Sequence, residues 1–337
     1  MRVVRRTPLE KLVAATQMPI ITQNINLVAE SLEKEEVAAI PTETVYGLAG
    51  NIYSDKAIHS IFRIKQRPLF NPLIVHLPGV QALGDVASEV PEMAKKLADH
   101  FWPGPLTLLL PKKNTVPDLI TAGKPTVAVR VPNHPVTLSL LSQLSFPLAA
   151  PSANPFGSIS PTTAQHVAGY FKDAFPYILD GGSCTSGIES TIIGFNTDGA
   201  VIYRYGSLAI EDIIPITGPL QEWIKDEQTP DAPGMLLRHY APKTKTILTE
   251  DVKDALKNYP SEKIGLLLFS DNSADLHANA KEILSPNSSL EEAASNLYAA
   301  MHRLDQQDLD IIIAERFPDK GLGRSINDRL QRATQAL

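Results

Sequence analysis

Ile40-Pro41-Thr42-Glu43-Thr44-Val45-Tyr46-Gly47-Leu48 is followed by Lys65-Gln66-Arg67-Pro68 and then by Asn71-Pro72-Leu73-Ile74-Val75-His76. Within about one βαβ unit these stretches gather hydroxyls, a carboxylate, two cations, an amide and an imidazole. The groups fall at the ends of predicted strands and helices, where sites form, and not along an apolar face, where cores form. They point to a pocket that grips an anionic ligand beside a small polar one.

The flanking sequence sets this segment in a frame. Val37-Ala38-Ala39-Ile40 is a short buried strand ended by Pro41. Ahead of it, Ile25, Val28 and Leu32 share one helical face over residues 24–36. Asp55 suits the N-cap of a helix carrying Ile58, Ile61 and Phe62 on one side. Pro68 must end that helix, which leaves Lys65 and Arg67 at its C-terminal end. Strands are predicted over 73–77, 106–110, 126–131, 148–150, 177–179, 190–195 and 200–205. Helices are predicted over 91–101 and 135–144, and Thr162 caps another holding Ala164, Val167 and Phe171. This irregular order predicts a mixed sheet with helices, not a strict doubly wound one.

Residues 212–237 contain Pro215, Pro219, Pro230 and Pro233 with Gly218 and Gly234, which is linker composition. Beyond them an apolar strand over 263–270, an amphipathic helix over 290–304, a strand over 310–314 and a helix over 326–333 make a small βαβ-like module.

The chain has 337 residues, enough for two domains. Hydrophobic content of 43% and charged content of 20% fit an ordinary soluble globular protein. A formal net charge of −6 argues against coating nucleic acid by bulk charge. Cys184 is the single cysteine, which excludes an internal disulfide and a cysteine-rich zinc site and fits a reducing cytoplasm. No apolar run approaches the ~20 residues of a membrane helix. The basic start, Met1-Arg2-Val3-Val4-Arg5-Arg6, has no apolar core behind it and is expected to be a flexible extension.

Familiar nucleotide and hydrolase signatures are missing. There is no G-x-x-x-x-G-K-[ST], no G-x-G-x-x-G opening a helix, no H-E-x-x-H and no G-x-S-x-G. Gly321-Leu322-Gly323-Arg324 fits a turn before the last helix. A nucleotide site here needs another cradle. Lys65, Arg67 and Asn71 suit a polyphosphate, with a point charge, a planar fork and an amide. Two cations capping a helix C-terminus are the plainer alternative, but the nearness of Asn71 and His76 favours a ligand.

Arg130 lies inside the apolar strand Val127-Ala128-Val129-Arg130-Val131, so it must face a partner or a pocket. An ion pair with Glu43 and a grip on a substrate carboxylate are both compatible with the spacing. Pro151-Ser152-Ala153-Asn154 and Ser158-Ile159-Ser160-Pro161-Thr162 offer hydroxyls and amides for phosphate oxygens, or plain turn chemistry. Glu189-Ser190-Thr191 opens a strand after a glycine-rich turn. Cys184 has no clear histidine partner and is read as non-catalytic. Arg204 at a strand end suits a phosphate or an adenine face, or the surface. Arg238-His239-Tyr240-Ala241-Pro242 is unusually rich for a linker and suits either a fold back over a site or inter-domain packing.

Taken together and in order, these motifs, with Trp102-Pro103-Gly104-Pro105-Leu106-Thr107 and Val129-Arg130-Val131-Pro132, resemble the YrdC-like domain of L-threonylcarbamoyladenylate synthases. The resemblance runs over about residues 20–215, and the remainder is similar to the longer, two-domain branch. It implies a YrdC-like mixed twisted sheet with helices over 19–215 and an N-terminal extension over 1–18. It further implies a linker over 216–243 that folds over the active site and a small C-terminal α/β, Rossmann-like domain over 244–337.

By the same resemblance, the chain would make L-threonylcarbamoyl-AMP from L-threonine, bicarbonate and ATP, releasing pyrophosphate. This nucleotidyltransferase step opens tRNA threonylcarbamoyladenosine modification, and a threonylcarbamoyl transferase complex would take the product onward in the cytoplasm. Lys65 and Arg67 would be catalytic. Threonine would be bound by Thr44, His76, Arg130, Ala150 and Ser190. ATP would be bound by Arg67, Asn71, Thr126, Ser152, Ser160, Arg204, His239 and Tyr240, with Mg²⁺ arriving on the ATP and no protein metal site. The carbamate formed on the threonine nitrogen attacks the α-phosphate, so no side-chain nucleophile is needed and positioning with cationic screening suffices. A non-catalytic module binding tRNA or double-stranded RNA is the alternative, and the acidic balance counts against it. A carbamoyl-transferring enzyme like hydrogenase-maturation proteins fits poorly, because those carry cysteine clusters.

Overall fold

A computed structural model describes residues 18–223, 239–271 and 276–334. All but Met18 of the expected extension, and residues 224–238 of the expected linker, lie outside the described residues. β1 (Ile20–Thr22), β2 (Ala38–Ile40), β3 (Gly47–Asn51), β4 (Ile74–His76), β5 (Leu106–Pro111) and β6 (Thr126–Arg130) come first along the chain. β7 (Leu148–Ala149), β8 (Tyr177–Leu179), β9 (Thr191–Asn196), β10 (Gly199–Arg204) and β11 (Gln221–Glu222) follow. They form one sheet ordered β1-β8-β2-β3-β7-β4-β6-β5-β9-β10-β11. β4 runs parallel to β6 and β5 to β9, while β3 is antiparallel to β2 and β7. The sheet is therefore mixed, as the irregular order of the elements predicts. Its central strands are buried along their length, which matches their apolar runs.

Helix Asp55–Lys65 buries Ile58, Ile61 and Phe62 against the sheet. Its cap is Ser54, not the expected Asp55: the Ser54 hydroxyl accepts from the Ala57 amide at 3.2 Å, and Asp55 places its charge in the first turn. The helix stops where Gln66 turns left-handed, ahead of Pro68. Thr163, not Thr162, caps helix Ala164–Tyr170 by accepting from the His166 amide. Helix Ile210–Thr217 and β11 occupy part of the stretch expected to be linker. Pro215 sits late in that helix, where its missing N–H forfeits a single hydrogen bond.

The C-terminal strands β12 (Lys245–Thr249), β13 (Ile264–Leu268), β14 (Ala280–Ile283) and β15 (Ile311–Glu315) form a second sheet ordered β12-β15-β13-β14, all parallel. Helices Leu290–Asp305 and Leu322–Ala333 cover it, and Gly321 makes the turn at φ +48° before the last helix. The apolar cluster under these helices is not confined to one sheet. Leu297, Met301, Ile326 and Leu330 join Val45, Ile159, Ile188 and Tyr240. The approach is close at Gly187, where a Cβ would stand 2.3 Å from the Ser295 carbonyl oxygen at a left-handed φ of +69°. No helix among the described residues is long and apolar enough to cross a membrane.

Candidate active site

The Thr42–Leu48 stretch is held in shape by its own hydroxyls. Thr42 Oγ1 accepts from the amides of Thr44 and Val45 and lies 2.8 Å from Thr44 Oγ1. The backbone around Tyr46 then straps the 151–161 loop: Tyr46 N–H donates to Pro161, Leu48 N–H to Pro151, and Ala153 N–H to Tyr46. Between these segments opens a cavity lined by Thr44, Arg67, His76, Arg130, Ala150, Ser152, Ser190, Arg204, His239 and Tyr240, all singled out from sequence. Thr42, Val45, Gly47, Ile74, Pro151 and Glu189 complete its wall.

Arg130 reaches it from the end of β6. Its Nη2 pairs with Glu43 Oε2 at 2.6 Å, its Nη1 donates to Thr44 Oγ1 at 2.9 Å and its Nε to the Gly104 carbonyl at 3.3 Å. The ion pair and the pocket position, which spacing left open, therefore coexist. The Trp102-Pro103-Gly104-Pro105 motif gains a reason: it supplies the carbonyl that aims the guanidinium. His76, beside Arg130 in β4, places Nδ1 3.2 Å from the Ile74 carbonyl. That partner assigns the proton to Nδ1 and leaves Nε2 an acceptor. Burial, helped by the Arg130 charge, pulls its pKa from 6.5 to about 3, so the ring is neutral.

On the other side, Arg67 donates Nε to Asn71 O and Nη2 to Asn71 Oδ1 and Pro72 O. Nη1 has no hydrogen-bond partner among the described residues. Burial lowers its pKa, yet a guanidinium remains cationic at neutral pH. Arg204, buried at the end of β10, donates Nε and Nη2 to Ser190 O and Nη2 to Ser190 Oγ, which also meets Thr107 Oγ1 at 2.7 Å. His239 and Tyr240 enter from the linker. Tyr240 takes a left-handed φ of +64°, fixed by the Ala241 N–H bond to Gly157 O. Tyr240 Oη and His239 Nδ1 are buried without a hydrogen-bond partner among the described residues. Unpaired buried polar atoms around a cavity mark where a ligand would complete the bonding.

Four expected residues do not line the cavity. Lys65 turns its ammonium into the 151–155 loop, donating to the carbonyls of Ser152 and, at 2.6 Å, Asn154. Its burial, with the charge of Arg67 adding, lowers its pKa well below the usual lysine value. Asn71 stands behind Arg67, and Ser160 behind Glu189 at 2.6 Å. Thr126 begins β6 at its far end, four positions before Arg130 and roughly 13 Å from it, and lines a separate depression with Glu89, Leu109 and Pro111. Nothing local in the sequence gives Glu189 a role. Its partners, Ser160, Tyr298 and Arg329, are too distant in sequence for a local motif to show them.

Residues 30–206 match the family model Sua5_yciO_yrdC, described as telomere recombination, and residues 207–335 match Sua5_C, the C-terminal domain of threonylcarbamoyl-AMP synthase. Over 324 residues the chain is 39% identical to threonylcarbamoyl-AMP synthase of Pyrococcus abyssi, covering 92% of this chain and 94% of that one. This chain belongs to the threonylcarbamoyl-AMP synthase family. The Bacillus subtilis threonylcarbamoyl-AMP synthase is 38% identical, with 90% of this chain and 91% of that one covered. The crystal structure of P. abyssi Sua5 complexed with L-threonine superposes with a TM-score of 0.86 at 37% identity, covering 94% and 97% of the two chains. The family is one of nucleotidyltransferase enzymes, and the mixed sheet with a second, smaller domain is its fold.

Proposed function

We propose that this cavity forms L-threonylcarbamoyl-AMP from L-threonine, bicarbonate and ATP with release of pyrophosphate, the first step of tRNA threonylcarbamoyladenosine modification. The observation that carries the reading is convergence: Thr44, His76, Arg130, Ala150 and Ser190 share one cavity with Arg67, Ser152, Arg204, His239 and Tyr240. The P. abyssi relative solved with L-threonine supports the amino-acid half of this assignment.

Arg130 is suited to the threonine carboxylate, and neutral His76 offers Nε2 to the polar groups of threonine. The threonine nitrogen bonds to the carbon of bicarbonate with loss of water. An oxygen of the resulting carbamate then bonds to the α-phosphorus of ATP as the bond to the bridging oxygen breaks and pyrophosphate leaves. The attacking group is already anionic, so no side chain need be activated. Cys184 fits that scheme as a bystander, since burial pushes its thiol up to about 12. Arg67, through Nη1, and Arg204 would screen the phosphates. Lys65 contributes by holding the Ser152 and Asn154 carbonyls, which shapes the loop beside the phosphates.

Mg²⁺ would arrive with ATP as part of the substrate. The one carboxylate on the cavity lining among the described residues, Glu189, has both oxygens engaged by Ser160, Tyr298 and Arg329, so these residues do not form a cage of their own for it. The cavity volume is ≈ 50 Å³, below the roughly 300–1,000 Å³ of small-molecule sites. His239 and Tyr240 stand on the wall of this small cavity, and their withdrawal would widen it for the nucleotide, which suits a linker over residues 216–243 that folds over the active site between catalytic and C-terminal domains. The product is a reactive mixed anhydride, which suits direct hand-over to a tRNA-modifying threonylcarbamoyl transferase complex.

Purified protein incubated with ATP, Mg²⁺, bicarbonate and L-threonine should release pyrophosphate only when threonine is present. Folded protein showing no threonine-dependent release would overturn the reading.

A further inference from the structure

Among the described residues, Glu189 is the one acidic side chain on a cavity wall that also carries Arg67 and Arg204. Left to itself, such a carboxylate would turn towards those cations, and its charge already acts on Arg204. Three donors fix it in place. Ser160 Oγ donates to Oε1 at 2.6 Å, while Tyr298 Oη at 2.9 Å and Arg329 Nε at 3.3 Å donate to Oε2. Two of these three come from the C-terminal helices Leu290–Asp305 and Leu322–Ala333.

Both of those donors are themselves fixed. Tyr298 and Arg329 are wholly buried. Arg329 Nη1 also donates to the Tyr205 carbonyl, next to Arg204, and its guanidinium sits 5.3 Å over the ring of Tyr240. Burial, and after it the Glu189 charge, raise the Tyr298 phenol well above its ordinary value, so it stays a donor. Ser325 Oγ donates to the Gly206 carbonyl, which keeps the last helix seated on the end of β10. The C-terminal domain thus reaches the cavity through the Glu189 carboxylate as well as through the Tyr240 ring.

We propose that Tyr298 and Arg329 are positioning residues for the reaction: they fix the Glu189 carboxylate in its place on the cavity wall and so keep its negative charge from turning onto the ATP phosphates. This rests on the synthase reading of the cavity. It gives the C-terminal domain a chemical task inside the active site, carried by charge placement and not by substrate contact.

The test is steady-state pyrophosphate release by the full-length chain. Tyr298→Phe removes the donor and keeps the ring. It should raise the ATP KM about tenfold and leave the threonine KM within about twofold. In a Glu189→Gln background, where no charge remains to turn, the same substitution should change the ATP KM by less than about twofold. An unchanged ATP KM, an equal rise in both KM values, or effects that multiply in the double variant would each overturn the proposal. If Tyr298→Phe does not fold, Arg329→Lys is judged by the same criteria, and failure of both to fold would assign the pair to folding alone and overturn it. Wild-type protein without threonine-dependent release would instead sink the underlying synthase reading.

Discussion

Glu43 Oε2 lies 2.6 Å from Arg130 Nη2, and the two side chains are only 6% and 4% exposed. Removing one partner of such a pair strands a buried charge, at a cost of about 3–5 kcal/mol. Arg130→Ala is therefore expected to lose about that much stability as well as threonine affinity. Arg130→Lys separates the two effects. It keeps a cation near Glu43 but loses the fork that reaches Thr44 Oγ1 and Gly104 O. Its denaturation midpoint should fall less, while the threonine KM still rises about tenfold. A wild-type threonine KM in the lysine variant would remove Arg130 from the amino-acid site.

Lys65 is expected to act on ATP through the loop it holds. Lys65→Met leaves the Ser152 and Asn154 carbonyls without their ammonium donor, at about 1–3 kcal/mol for each buried group left unpaired. The ATP KM should rise severalfold more than the threonine KM, because Ser152 lines the cavity. Equal, modest changes in both would assign Lys65 to folding.

How much of this was legible follows from what is local. The Thr42–Leu48 and Asn71–His76 stretches and the loop at 151–154 announce a site because their polar residues break an apolar pattern. β3 was not foreseen as a strand, since Gly47, Gly50 and Asn51 carry weak strand preference. The caps at Ser54 and Thr163 each fell one residue from expectation, because adjacent Asp55 and Thr162 are equally good cap residues and only the backbone turn chooses. Helix Ile210–Thr217 was hidden by Pro215. The direction of a side chain is a tertiary property: nothing around Lys65 tells that its ammonium faces two carbonyls some 90 residues on. Glu189 is the same case, with partners 109 and 140 residues away.

Acid should destabilise this protein through its histidines. Burial is the main cause of a lowered pKa at His76, to about 3, at His166, to about 4, and at His134, His239 and His302. The unfolded chain protonates these rings near 6.5, while the folded chain resists. The folded state therefore binds fewer protons, and stability is full above pH 6.5 and is lost as pH falls towards the folded values. His166 and His302 are stacked 4.0 Å apart across the two domains, so their protonation also adds repulsion there. The melting temperature should drop between pH 7 and pH 5, and His166→Phe should lessen that drop. A flat profile over this range would contradict the burial of these rings.

Tyr240 gives the sharpest separation of stability from activity. Its hydroxyl is buried without a hydrogen-bond partner among the described residues, while its ring packs 5.7 Å from Tyr298 and beneath Arg329. An unpaired buried hydroxyl costs about 1–3 kcal/mol. Tyr240→Phe deletes that atom and keeps the ring, so it should leave stability unchanged or raise it by up to about 1 kcal/mol. The same change should weaken ATP use, because Tyr240 lines the cavity with Arg67 and Arg204, where a nucleotide would give its hydroxyl a partner. Denaturant melts without ligand, set beside the ATP KM, decide the matter. A destabilised variant with normal ATP kinetics would show that the hydroxyl serves the fold, and would take Tyr240 out of the nucleotide site.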